Sequence, residues 1–330
     1  TVIIFAILAI FAAAVYYKFG VTDIYEGLRK IPESKQMITM ASIPGLFFGM
    51  INIIGNFGTV FVDQSYWQRA IASTERAAAK AYIYGGIAWF SIPFTIATFL
   101  GVGAAGLGIS VDSPDSVAPI MAAHVMGTVG SILFLIMLFM AVMSTGVAEL
   151  TAITNIIVTD IYLHSIHPQA NSQKILSVSR QVTLCAGLAM GLLSILLFKV
   201  GISLSFVYMA MGIFISSAVI PVTLGLLWKR ATNEGSFYGA LLGMISGLIA
   251  WVSSAYATSG EITIESLGGL YPMLIGNLTV FVVSGAISIG HGLLSSQEFD
   301  FDSLKDKFKS YDDDLSEYGK EVSYGETANK

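Results

Sequence analysis

Residues 55–69 read GNFGTVFVDQSYWQR, and they join an apolar segment that opens near Ile43 to a polar one. Glycine weakens a helix and permits a second backbone to approach closely. Within lipid, loosened backbone is tolerated only where protein covers it or where it lines a wet cavity. Two interpretations are open at this point. The stretch is either an interrupted membrane helix that forms a binding site or a glycine-rich face on which neighbouring helices pack.

The composition of the whole chain indicates a membrane protein. Of its 330 residues 55% are hydrophobic and 12% are charged, and its mean hydropathy is +0.73. A soluble domain carries about 25% charged residues. Several uncharged apolar runs exceed the ~18 residues that span a bilayer. We therefore predict an all-α polytopic membrane protein with the lipid bilayer as its partner, and no basic patch with interleaved aromatics indicates a nucleic-acid partner.

Eight membrane crossings are predicted. The glycine-rich stretch forms the second, and a polar loop at residues 20–42 precedes it. Pro93 is expected to kink the third crossing. The other seven predicted crossings are residues 1–19, 82–111, 128–162, 182–200, 203–228, 236–258 and 271–289.

Two regions differ in composition. Residues 1–293 form the predicted transmembrane domain, whereas residues 294–330 are acidic and polar and are expected to be a largely disordered tail. Lys and Arg occupy alternate loops and the tail, which predicts that these are cytoplasmic. The 20–42 loop breaks this rule with three basic residues. Because the chain begins at Thr1 inside an apolar run, we expect a missing N-terminal half of the same protein.

Polar residues inside the fourth crossing are candidates for ion chemistry. Ser144 and Thr145 follow a wholly apolar segment, and hydroxyl oxygens suit a dehydrated monovalent cation. The alternative is that each hydroxyl bonds to a carbonyl of its own helix. Glu149 follows Thr145 by one turn, and an intramembrane carboxyl group is a functional candidate by default. Glu149 and Asp63 are each either a functional carboxyl, as a proton or coupling group, a ligand for a polar substrate or a partner for a buried cation, or a hydrogen-bonded structural carboxyl.

Catalytic motifs are not found in the sequence. It contains no nucleophile elbow, no Walker-type phosphate loop and no Cys/His cluster with metal-ligand spacing. Cys185, the single cysteine, lies in an apolar run and cannot form an internal disulfide. We therefore expect a protein that is not an enzyme and that needs no cofactor.

The sequence resembles the sodium:solute symporter family, and within it the urea active transporters. The matching passages are the stretch at residues 55–69, MSTGVAEL at 143–150, TDIY at 159–162, WKR at 228–230 and YPML at 271–274. The resemblance implies a five-helix inverted-repeat fold, of which this chain would hold the second half and extra C-terminal helices. It further implies a Na⁺ site at Ala141, Ser144 and Thr145, and substrate contacts at Asn56, Gly58, Thr59, Val60 and Tyr208.

This resemblance implies a symporter in the plasma membrane for urea or a similar small polar solute, coupled to Na⁺ or H⁺. The family's first broken helix has no counterpart in the chain, so about half of each site is expected from the missing part. The alternative is a function other than transport. The chain would then be a membrane-embedded sensor or scaffold whose acidic tail passes on the signal. The residues do not separate urea from polyamine, or Na⁺ from H⁺.

Overall fold

The structure, a computed structural model, describes residues 2–39, 41–296 and 298–303. These residues contain eight helices that are long and apolar enough to cross a membrane, and they contain no strand. The prediction of an all-α polytopic membrane protein is confirmed. The remainder of the predicted acidic tail, residues 304–330, lies outside the described residues.

The helices are bounded in chain order as follows. They are α1 Val2–Lys30, α2 Ile43–Val62, α3 Gln64–Ile71, α4 Glu75–Thr95, α5 Gly103–Gly106, α6 Val117–Asn155, α7 Ser172–Val200, α8 Leu204–Ile215, α9 Val219–Leu227, α10 Asn233–Ser259, α11 Ile264–Leu267 and α12 Leu270–Leu294. Short 3₁₀ helices cover Pro32–Ile38, Pro114–Ser116 and Ser216–Ala218, and π-helical segments cover Ile96–Val102 and Ile156–Ile166.

The predicted polar loop at residues 20–42 is wrong. Gly20 kinks α1 with φ 72° and ψ 161°, but the helix then continues to Lys30. Leu28 is buried in this second part, and Ile24 packs against the hydrophobic core. Gly27 permits the close contact, since a Cβ there would lie 1.8 Å from the carbonyl oxygen of Gly106. The charged residues of this part of α1 led to the prediction of a loop. It is instead an amphipathic helix with one buried apolar face.

The first interpretation of the stretch, a helix interrupted at its glycines, does not describe the backbone. Helix α2 runs unbroken from Ile43 to Val62, and the interruption falls at Asp63, whose backbone is extended. Buried residues recur on one face of α2 at Ile51, Ile54, Gly55 and Gly58. This i, i+3, i+4, i+7 spacing is that of a packing face. The second interpretation of the stretch, a glycine-rich contact face, describes the backbone found.

The chain divides into two compact units. The first comprises Thr1–Asn52 and Val62–Ala210, and the second comprises Ile53–Phe61 and the described residues from Met211 onward. The core of the first unit surrounds Phe11 and Met121, neither of which has measurable exposure.

Also in the first unit, the Asp115 carboxylate accepts hydrogen bonds from the Leu204 backbone N–H at 3.1 Å and the Ser205 hydroxyl at 2.6 Å. It therefore caps the first turn of α8.

The second unit is built on the contact between α10 and α12. Glycines recur every fourth residue along α10, at Gly235, Gly239, Gly243 and Gly247, and all are buried. A Cβ on any of them would come within 3.0 Å of another residue's atoms. Small residues at this spacing let membrane helices pack with their backbones close together.

Pro221 in α9 lacks the N–H group that would bond to the carbonyl oxygen of Ser217. The buried hydroxyl of Ser284 on α12 donates to that carbonyl oxygen instead. A side chain of the neighbouring helix thus satisfies the acceptor that proline leaves open, as membrane burial requires.

Candidate functional site

The candidate substrate residues on α2 fall on different faces of that helix. Gly58 is buried, and a Cβ there would lie 2.8 Å from Ile215 Cγ1 and from Ser216 Oγ. Asn56 and Val60 are exposed on the opposite side, and Thr59 is half-buried. The Thr59 hydroxyl donates to the carbonyl oxygen of Gly55 at 3.1 Å. The side chains that face away from the packing surface are therefore Asn56 and Val60, whereas Gly58 serves helix contact.

Tyr208, the remaining candidate substrate residue, lies in the part of α8 that belongs to the first unit. Its side chain is 41% exposed. It stands one turn after Leu204, at the helix end that the Asp115 carboxylate caps. Its place in a substrate site stays a prediction.

The three candidate cation residues share one face of α6 at i, i+3 and i+4 spacing. Ala141 packs against the hydrophobic core, whereas Ser144 and Thr145 are exposed. Within the described chain neither of these two hydroxyls makes a hydrogen bond. By contrast, the Thr151 hydroxyl on the same helix donates to the Val147 carbonyl oxygen at 2.8 Å. The alternative of hydroxyls bonded to their own helix thus fits Thr151, and it does not describe Ser144 and Thr145.

The two candidate coupling carboxyls meet where α3 begins. The Asp63 side chain accepts the backbone N–H of Ser65 at 2.7 Å and so caps α3. The Ser65 hydroxyl lies 3.5 Å from Glu149 Oε1, and the Glu149 carboxyl also interacts with Asp63 and with the Arg69 guanidinium. The sequence suggested no cationic partner for Glu149, and among the described residues no ion pair joins it to Arg69, which acts on it only through its charge. Asp63 and Glu149, 86 positions apart, are thereby brought into one polar cluster.

Tyr66 belongs to the same cluster, outside the membrane-spanning helices. Burial raises the pKa of its phenol, and the Asp63 carboxylate adds to the rise. The Tyr66 phenol therefore stays protonated throughout the physiological range. Its backbone carbonyl oxygen accepts a hydrogen bond from the Tyr82 hydroxyl at 2.5 Å, which ties α3 to α4.

A cleft of about 430 Å³ separates α3 from α6. Its wall is formed by Ser65, Gln68, Arg69, Ala72, Ser144, Val147, Ala148, Thr151 and Asn155. Asn155 Nδ2 donates to Gln68 Oε1 across it at 3.0 Å. Sequence reasoning singled out neither amide as a site residue. Polar residues on both segments were visible, but no local pattern pairs positions 87 residues apart.

The chain is similar in sequence to known urea transporters. It is 42% identical over 273 residues to the urea-proton symporter DUR3 of Oryza sativa subsp. japonica, covering 82% of this chain and 38% of that protein. It is 36% identical over 286 residues to the urea active transporter of Saccharomyces cerevisiae, covering 82% of this chain and 39% of that protein. Both relatives are named as transporters, and neither name supports a sensor or scaffold.

The chain thus spans well under half the length of these two relatives. The sequence model of the sodium:solute symporter family matches residues 4–243, which is more than half of the chain. That match includes the polar cluster, the candidate cation residues and every candidate substrate residue. The chain belongs to the sodium:solute symporter family.

Proposed function

We propose that the full-length protein containing this chain is a secondary active symporter that couples the uptake of urea, or a similar small polar solute, to a cation gradient. Membership of the sodium:solute symporter family supports cation-coupled transport. The names of the rice and yeast relatives support urea as the solute. Transport would proceed by alternating access around a midplane site, as in other inverted-repeat carriers.

The observation that carries this proposal is the pair of hydroxyls on α6 that bond to nothing else in the described chain. A cation stripped of water needs several oxygen ligands, and Ser144 and Thr145 offer two from adjacent positions. Ala141 lies one turn earlier on the same face. The remaining ligands would come from other parts of the full-length protein.

A proton-coupled mechanism would use a different set of residues. Glu149 and Asp63 meet at Ser65, whose hydroxyl lies 3.5 Å from Glu149 Oε1 and whose backbone N–H donates to the Asp63 side chain. The two candidate ions therefore belong to separate groups of side chains, which mutation can distinguish.

The resemblance to the family assigns substrate contacts to Asn56, Gly58, Thr59 and Val60 on α2, and separately to Tyr208 on α8. An amide side chain, a hydroxyl and a phenol provide the donors and acceptors that urea requires. We place the protein in the plasma membrane with its tail in the cytoplasm, since basic residues cluster on the tail side.

Initial rates of radiolabelled urea uptake by the full-length transporter test the proposal. Uptake is measured against Na⁺ at fixed pH, and against pH at fixed Na⁺. Saturable uptake that depends on one of the two ions supports the proposal and identifies the ion. Uptake indifferent to both ions would contradict it.

A further inference from the structure

The cleft between α3 and α6 has a wall suited to a small neutral molecule. Three hydroxyls, two side-chain amides and one guanidinium line it, together with three apolar side chains. Arg69 is the single charged group among the lining residues, and its charge is positive. Its guanidinium can donate hydrogen bonds to the carbonyl oxygen of a neutral ligand.

The amide pair gives the cleft a specific hydrogen-bonding edge. Asn155 donates to Gln68, so the Gln68 amino group and the Asn155 carbonyl oxygen are left uncommitted in the described chain. Exchanging O and N in both amides reverses the bond but still leaves one amino group and one carbonyl oxygen. The pair therefore always presents a donor beside an acceptor.

Such an edge is complementary to an unsubstituted amide. Urea carries a carbonyl oxygen and N–H groups side by side, so it could accept from one member of the pair and donate to the other. The volume of about 430 Å³ falls in the range of ligand pockets, ~300–1,000 Å³, and leaves room for water around so small a solute.

We propose that this cleft is a second solute site, in which the Gln68–Asn155 pair binds urea or a related primary amide on the cytoplasmic side of the candidate cation residues. The inference rests on the proposed function. It adds Gln68 and Asn155 to the binding residues, and it places the solute beside Ser65 and Arg69 of the polar cluster. Ser144 is common to the cleft wall and to the candidate cation site, so its hydroxyl can contact solute and ion in turn.

Exchange of the amides tests the hydrogen-bonding edge in the full-length transporter. Asn155→Asp replaces the complementary edge by two acceptors, because the Gln68 amino group must turn toward the carboxylate. The urea concentration for half-maximal uptake should rise about three- to tenfold, while the cation concentration for half-maximal uptake stays unchanged. The double variant Gln68→Asn with Asn155→Gln restores the donor–acceptor pair and should recover the original urea dependence.

Asn171→Asp is the matched control, because Asn171 caps α7 through its carbonyl oxygen and a carboxylate keeps that bond. Surface levels of every variant are measured by biotinylation. A purely structural role for Asn155 would lower surface level and maximal rate at unchanged half-saturation, which would overturn the inference. Failure of the double variant to restore half-saturation would overturn it as well.

Chemical protection tests occupancy without relying on transport. In purified full-length protein lacking other reactive cysteines, Ala148→Cys places a thiol in the cleft wall, and Ser73→Cys places one outside it. Urea should slow alkylation at position 148 and leave position 73 unaffected. No protection at position 148 overturns the cleft site even when urea uptake is intact. Protection in a protein that shows no cation-dependent uptake would retain the site and reject the symport mechanism.

Discussion

The hydroxyl of Ser216 donates a hydrogen bond to the backbone carbonyl oxygen of Ile54 at 2.9 Å, and both residues are buried. This contact exists because Gly58, one turn beyond Ile54, has no side chain. Gly212 approaches the same surface, where an added Cβ would lie 3.0 Å from the Gly55 Cα. Three glycines thus bring two helix segments of the second unit into backbone contact.

Gly58→Ala should destabilise the protein because its Cβ would meet Ile215 and Ser216 at 2.8 Å. Overpacking of a tight contact costs about 1–3 kcal/mol. The loss is measured as a lower midpoint of thermal unfolding in detergent. Gly55→Ala is the matched control on the same helix, because its Cβ would lie 3.4 Å from the flexible end of Met211. Equal effects of the two substitutions would contradict the packing face.

The sequence predicted the number and nature of the membrane crossings because long apolar runs report lipid burial directly. The kink at Gly127, with φ 60°, agrees with the predicted start of a helix at residue 128. The glycines at positions 55 and 58 were ambiguous, since the same residue loosens a backbone and permits close packing. Their partners, Met211 to Ser216, lie over 150 positions away, and no local pattern identifies them. The pairing of Gln68 with Asn155 escaped prediction for the same reason.

Ser144→Ala and Thr145→Val should each weaken Na⁺ coupling if these hydroxyls are ion ligands. Each change removes one oxygen, and an unsatisfied polar partner costs about 1–3 kcal/mol. The Na⁺ concentration for half-maximal uptake should rise roughly tenfold for every 1.4 kcal/mol lost, with much less change in urea affinity at saturating Na⁺. Thr95→Val is the control, because its hydroxyl is bonded to the Ser91 carbonyl oxygen at 2.7 Å. An unchanged Na⁺ dependence in both site variants would remove them from the cation site.

Glu149→Gln should separate coupling from folding. If the carboxyl carries the coupled proton, the variant loses urea accumulation but retains passive exchange across the membrane. A structural carboxyl predicts lower surface level or a lower unfolding midpoint, because the contact of the Ser65 hydroxyl with the carboxyl is altered. Unchanged uptake at every pH would eliminate Glu149 from the mechanism.

Cysteine labelling tests the orientation on which the cytoplasmic assignments depend. Cysteines placed at Ser73 and Asn233, both exposed, should react with impermeant reagents from the cytoplasmic side. Those placed at Asp112 and Ser259, also exposed, should react from outside. Replacing Cys185 by alanine removes the chain's own cysteine. The reverse labelling pattern would invert the topology and the side assigned to the α3–α6 cleft.

The most direct test of cation-coupled symport is the urea concentration ratio reached by the full-length transporter in sealed vesicles. Urea is present at equal concentration on both sides of the membrane, and an inward Na⁺ or H⁺ gradient is imposed. The steady-state ratio of internal to external urea is then measured. Cation-coupled symport predicts a ratio above one that collapses to one when an ionophore dissipates the coupling gradient. A ratio of one under both gradients, with rapid equilibration of urea, would show a passive channel and contradict cation-coupled symport.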